Sequence, residues 1–197
     1  MKKYGLYLMM VAVTLFCTTS CGDDEEVNPL EGWMIANQNA LNAIKADPKY
    51  KELKSPGNEG SIYYRVLKEG DGTAPILYTS RVEVYYKGSF SVNSDNLLSV
   101  TINKGDVFDS RLFDDGPPLK FAVSPALADY SSSNPNGYML PITGWKTALQ
   151  SMSKGDKWEV WIPYQLAYGR INSGSIPGYS TLVFEIEVVS VKNIDDK

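Results

Sequence analysis

The sequence predicts an α+β domain with an extra helix at its N-terminus, and two observations carry this reading. The stretch from Ile142 to Phe184 passes from a helical pattern to a strand pattern. Trp145, Leu149 and Met152 recur at helical spacing and stop at the turn signal Ser153-Lys154-Gly155-Asp156. Trp158, Val160 and Ile162 then alternate against Glu159 and Trp161, as side chains on the two faces of a strand do. The second observation is that Val82, Val84 and Tyr86 alternate in the same way further upstream. A short helix and strands this close in sequence must share a core.

The first element after the N-terminal region is a helix. Asn28 can cap it, Pro29 suits its first position, and Glu31 stands in its first turn. Leu30, Trp33, Met34, Leu41 and Ile44 fall close to one face, and Asp47-Pro48 stops the run. Such a face packs either on its own domain or on a partner. Lys54 to Gly60, with Pro56 and two glycines, reads as a linker. Ile62 to Leu67 and Val82 to Tyr86 read as strands, and Val107–Arg111 and Pro118–Phe121 as two further short segments. Pro163 ends the strand that begins near Trp158. A last strand alternates Leu182, Phe184, Ile186 and Val188 against Val183, Glu185 and Glu187. The connections 89–106 and 122–140 are rich in Ser, Asn, Asp and Pro, and are expected as exposed loops.

The N-terminus carries an export signal. Lys2 and Lys3 precede an apolar run from Leu6 to Phe16, which ends in the small residues before Cys21. The run is short for a permanent membrane span. A Cys directly after small residues resembles a bacterial lipobox, with Cys21 acylated as the mature N-terminus. Thr18 departs from that pattern, where Leu is usual, and an ordinary cleaved signal is the alternative. The four acids of Asp23-Asp24-Glu25-Glu26 form a solvated tether. They are also similar to the acidic stretch that follows the lipidated Cys in surface lipoproteins of Bacteroidetes-like bacteria. The organisation expected is therefore a signal over 1–20, a tether over 21–28, a helix and linker over 29–60, and the main domain over 61–192.

Composition excludes several functions. Loss of the signal removes Lys2 and Lys3 and moves the formal charge from −4 to −6. An acidic chain of this kind offers nucleic acid no electrostatic footprint. With two Cys, one of them in the signal, no internal disulfide is expected, and the 43% of hydrophobic residues must hold the fold. The chain has no His. That removes His-based acid–base chemistry, the common Ser-His and Cys-His systems, and the usual zinc ligand sets. No cofactor is expected.

Several short motifs then occur in a fixed order. Tyr86-x-Gly88, Phe108-Asp109-Ser110 and Pro118-x-Lys120-Phe121 come first. G-W-x-x-A-L-x-x-M-x-x-G-D-K follows from Gly144, then Ile162-Pro163, Ala167-Tyr168-Gly169, and Ile176-Pro177 before Ser180-Thr181-Leu182-Val183-Phe184. This order resembles the FKBP-type peptidyl-prolyl cis-trans isomerases, over about Ile62 to Val191. The resemblance implies a twisted antiparallel sheet wrapped around the short helix that carries Trp145. It implies an isomerase acting on proline-containing polypeptides, assisting exported proteins to fold, with macrolide inhibitors as a further ligand class. Together with Cys21, it implies a protein lipid-anchored to the outer membrane, at its periplasmic face or at the cell surface.

Carried over residue by residue, the resemblance makes Trp145 the platform under the proline ring. Tyr86, Phe108, Leu119, Phe121, Ile142 and Phe184 form the walls, with Ile176 at the rim. Tyr168 donates its hydroxyl to a substrate carbonyl, and the Ile142 N–H is a second donor. Asp109 stands at the wall near the rotating carbonyl, held by the Tyr86 hydroxyl or by a nearby Arg. Taken singly, Tyr86, Phe121, Phe184 and Trp145 would be core residues in almost any sheet protein. Asp109, an acid between Phe108 and Ser110, is less easily explained by packing, although it could cap a turn. Leu119, Pro141 and Ser175 depart from the residues the family usually has. Two other functions remain in view: a module of the same fold that holds a protein partner with weak or no catalysis, and a carbohydrate-binding surface lipoprotein. The ordered motifs weigh against the last.

Overall fold

The computed structural model describes residues 28–95 and 97–193; the expected signal, Cys21 and the acidic run 23–26 lie outside them. The first helix, α1 (Pro29–Ala46), has the ends its sequence predicts. Asn28 caps it, its Oδ1 accepting the Leu30 N–H at 3.0 Å, and Asp47 closes it. Strands β1 (Lys51–Lys54), β2 (Ser61–Lys68), β3 (Arg81–Phe90), β4 (Val107–Arg111) and β5 (Leu119–Ala122) follow. Helix α2 (Thr143–Leu149) and strands β6 (Lys157–Ile162) and β7 (Leu182–Lys192) complete the order.

The strands form one antiparallel sheet in the order β1-β2-β6-β7-β3-β4, with β5 paired to β3 off that path. Sequence neighbours are thus separated in space: β6 and β7 lie between β2 and β3. The β3–β7 pair is the longest, from Arg81 opposite Lys192 to Phe90 opposite Leu182. Segment 51–54, expected to belong to the N-terminal segment, is instead an edge strand of this sheet.

One face of the sheet wraps α2. Trp145, Ala148 and Leu149 on the helix meet Val82, Val84, Val160, Ile162, Phe184 and Ile186 on the strands, all buried. Two glycines of the ordered motifs permit this closeness. A Cβ on Gly144 would stand 2.4 Å from Ile162 Cγ2, so the helix could not rest on β6. A Cβ on Gly88 would stand 2.7 Å from both the Phe108 and Phe184 rings.

The opposite face is covered by α1. Leu41 packs there with Tyr63 and Trp161, the strand residues that alternate away from the main core. Glu159, on that same face, joins β6 to its neighbours. Its carboxylate accepts from the Tyr50 hydroxyl, from Trp161 Nε1 at 3.0 Å and from Arg65 Nη2 at 2.5 Å. Helix α1 therefore packs on its own domain. Its buried residues are Trp33, Asn37 and Leu41, while Leu30 and Met34 of the expected apolar face are exposed.

The two long connections differ from the expectation of plain exposed loops. In 89–106, Phe90, Ser91, Ser94 and Ile102 are buried, and Val92 and Leu98 pack on the core. Leu97 lies against α1 so closely that a Cβ on Gly32 would be 2.7 Å from its Cδ2. In 122–140, Val123 is fully buried and Met139 forms a bridge with Phe121. Polar composition hid these few apolar anchors.

Candidate active site

The open edge of the α2 layer holds a cavity of about 400 Å³. Its floor is Trp145, 3% exposed. Aromatic rings meet the indole on several sides. Tyr86 from β3 and Phe184 from β7 stand edge-on to it at 5.0 and 5.3 Å, and Phe121 from β5 lies tilted at 5.0 Å. Edge-on contacts suit the ring quadrupoles and hold the floor in one orientation. Leu119, Met139, Leu140, Pro141 and Ile142 line the remaining wall.

Strand alternation places these groups. Tyr86 and Val84 face the core on β3, and Phe121 and Leu119 share one face of β5. Ile142 is the residue just before α2, where a backbone N–H stands outside the helical ladder. Its own carbonyl accepts from Lys146 N at 3.1 Å, starting the helix.

Polar groups gather at the mouth. The Tyr86 hydroxyl donates to Asp109 Oδ2 at 2.6 Å. Of the two partners expected for this carboxylate, the hydroxyl is the one that bonds it; Arg111 Nη1 donates instead to the Asp115 carbonyl at 3.1 Å. Burial pushes the Tyr86 phenol well above its ordinary range, and the Asp109 carboxylate pushes it further, so it remains a donor. Tyr168 also lines the mouth, 41% exposed. Burial of its inner part raises its phenol too, with the Asp109 charge adding to the effect.

Eight of the residues expected at the site thus lie together: Tyr86, Asp109, Leu119, Phe121, Ile142, Trp145, Tyr168 and Phe184. Two lie elsewhere. Phe108 is behind the wall, edge-on to Phe184 at 5.6 Å and tilted against Phe90 at 5.2 Å. Its strand position points it between β3 and β7, where Gly88 leaves room. Ile176 is 7% exposed and belongs to the core, its carbonyl and N–H both bonded to Ser173. Met139 and Leu140 were not expected; the apolar run Met139-Leu140-Pro141-Ile142 just before α2 is the signal that points to them.

The loop bearing Tyr168 is tied to α1. Tyr179 N donates to the Gly169 carbonyl at 2.9 Å, next to Tyr168. Beside Tyr179, the Gly178 carbonyl accepts from Trp33 Nε1 at 3.1 Å. Edge-on and tilted ring contacts also run from Trp33 through Phe90, Phe108 and Phe184 to Trp145.

Comparison with known proteins agrees with this architecture. The family model of the FKBP-type peptidyl-prolyl cis-trans isomerases matches residues 77–189. The chain is similar to the FKBP-type 22 kDa peptidyl-prolyl cis-trans isomerase of Escherichia coli strain K12, at 37% identity over 134 residues, 68% of this chain and 51% of that one. It is similar to FK506-binding protein 1A of Neurospora crassa, at 34% identity over 68% of this chain and 90% of that one. A crystal structure of a peptidyl-prolyl cis-trans isomerase from Pseudomonas syringae superposes with a TM-score of 0.58 at 31% identity, covering 84% of this chain and 97% of that one. The chain spans about half the length of the Escherichia coli relative.

Proposed function

Because the chain belongs to the FKBP-type peptidyl-prolyl cis-trans isomerase family, we propose that its cavity accelerates rotation about Xaa-Pro bonds in exported polypeptides. The observation that carries this reading is the aromatic floor. Trp145 is held edge-on by Tyr86 and Phe184, with Asp109 and Tyr168 at the mouth. Rotation must overcome a barrier of roughly 18–20 kcal/mol that arises from amide resonance. It breaks no covalent bond, so neither a nucleophile nor a metal is needed.

The site must bind the twisted amide better than either planar form. The planar amide is the more charge-separated state and loses more on leaving water, so an apolar cavity favours the twisted one. In this reading the proline ring rests on Trp145 between Phe121 and Phe184. The Tyr168 hydroxyl and the Ile142 N–H orient the flanking carbonyls. Asp109, fixed by Tyr86, stands near the rotating carbonyl and supplies a field that does not need to reorganise. The Neurospora crassa relative is named for binding FK506, and the same cavity is proposed to take macrolides of that class. Phe108 supports the wall from behind, and Ile176 supports the loop.

The proposed setting is a lipoprotein acylated at Cys21, the first residue of the tether 21–28, and held so at the outer membrane. The order of basic, apolar and small residues before Cys21 supports it. The test of function is the cis-to-trans relaxation of a short Ala-Pro peptide with and without the protein. Acceleration is expected. A folded protein that leaves the relaxation unchanged would turn the reading to a binding module of the same fold.

A further inference from the structure

A second cavity of about 400 Å³ adjoins the first. The two have Leu119 and Met139 in common among their lining residues. The lining of the second includes Pro117, Pro118 and Pro135, together with Tyr130 and Asn136. Half of its lining residues, Tyr130, Pro135, Asn136, Gly137 and Met139, belong to the connection 122–140.

That connection is pinned in place. Met139 N donates to the Lys120 carbonyl at 2.9 Å, and Ala122 N donates to the Met139 carbonyl at 2.8 Å. The connection therefore runs beside β5 as a short extra strand. Farther out, the Arg81 guanidinium lies over the Tyr138 ring at 4.6 Å and donates to the Leu127 carbonyl at 3.0 Å. It also pairs with Asp129 at 3.4 Å. Tyr130 N and Asp129 N both bond the Tyr138 carbonyl.

The charge of the second cavity is one-sided. Its lining includes Arg111 and Lys120 and no Asp or Glu. Arg111 forms no ion pair among the described residues; its Nη1 bonds only the Asp115 carbonyl. Asp109 and Arg111, two residues apart on β4, share one strand face. The guanidinium is near enough to the Tyr86 phenol to offset part of the rise in its pKa. Arg111 thus stands on the site side of β4, beyond Asp109.

We propose that this second cavity is a substrate subsite that takes an acidic side chain flanking the proline, with Arg111 as its specificity residue. The inference rests on the isomerase reading of the first cavity. A 400 Å³ cavity is roughly 7 Å across, and an extended chain advances about 3.3 Å per residue. The acidic residue therefore lies within about two or three residues of the proline. A planar guanidinium pairs well with a carboxylate.

The test uses the full chain in detergent and three proline peptides that differ at those flanking positions, carrying Glu, Ala or Lys. The quantity read is the ratio of kcat/KM between peptides, because Arg111 is close to Tyr86 and absolute rates can move. With the parent protein, Glu over Ala is expected at about three- to tenfold at low salt, shrinking as salt is raised. Arg111→Gln should bring the ratio to about one, Arg111→Lys should keep part of it, and Arg111→Glu should make the Lys peptide the preferred one. A parent ratio of one at every flanking position, or a ratio that Arg111→Gln leaves unchanged, overturns the subsite. Loss of activity on all three peptides with the folded parent is a different result: it removes the isomerase reading, and the subsite with it.

Discussion

Asn37 Oδ1, on the N-terminal helix, accepts the backbone N–H of Thr181 at 2.7 Å, across 144 positions of sequence. The same oxygen accepts from the Ser91 hydroxyl at 3.2 Å, and Asn37 Nδ2 donates to the Trp33 carbonyl at 2.9 Å. Asn37 is 2% exposed. One buried amide therefore joins α1, the end of β3 and the start of β7.

Asn37→Leu should destabilise the fold out of proportion to its size. It leaves the Thr181 N–H and the Ser91 hydroxyl buried without their acceptor, and each unsatisfied group costs about 1–3 kcal/mol. A urea midpoint lower than the parent's by the equivalent of about 2 kcal/mol or more is expected. A midpoint within error of the parent would show that α1 is not held by this residue.

Substitutions in the cavity should form a graded series, not an all-or-none one. Tyr168→Phe removes one hydroxyl and should cost about 0.5–1.5 kcal/mol, roughly two- to tenfold in kcat/KM. Asp109→Leu should cost at least as much, because it also strips the Tyr86 hydroxyl of its acceptor. Trp145→Ala should be the worst, losing the floor and about 3–5 kcal/mol of stability, so its unfolding must be measured beside its activity. Equal, total loss in all three folded variants would point to a chemical step that the cavity does not contain.

Alkaline pH should weaken the fold through its buried phenols. The Tyr50 phenol is pushed up to about 12, first by burial and then by its bond to the Glu159 carboxylate. Tyr86 moves in the same direction. In the unfolded chain both titrate near 10. A raised pKa means that the folded state keeps its proton longer, so this stability is complete below about pH 10 and is lost as pH rises towards 12. Denaturant midpoints should hold steady to about pH 9 and fall above about pH 10. Tyr50→Phe should fall less steeply, and a fall as steep as the parent's would exclude Tyr50 as a contributor.

Anchoring should depend on Cys21. Cys21→Ala is expected to leave the membrane fraction when cells are fractionated, and retention equal to the parent's would rule out acylation there. Processing before residue 21 can be followed on the same samples by mass.

Elements whose signals are local were determined by the sequence itself. Asn28 and Pro29 start α1 where the caps predict, because a cap is a bond between residues two apart. The alternation in β3, β6 and β7 names their inward faces, because the pleat has a period of two. The ordered motifs mark Tyr86, Asp109, Trp145 and Tyr168 as a set.

Tertiary structure alone decided the rest. Lys51–Lys54, a polar segment with no alternation of burial, becomes a strand because β2 offers it an unpaired edge. Asn37, which no motif or periodicity marks, is buried where its Oδ1 accepts the Thr181 N–H. Phe108 lies behind the cavity because Gly88, opposite its neighbour on β3, leaves the space its ring fills. Met139 is shared by two cavities because it bridges to Phe121. In each case the deciding partner lies on another element, so the pairing energy that sets the position leaves no pattern in the residues around it.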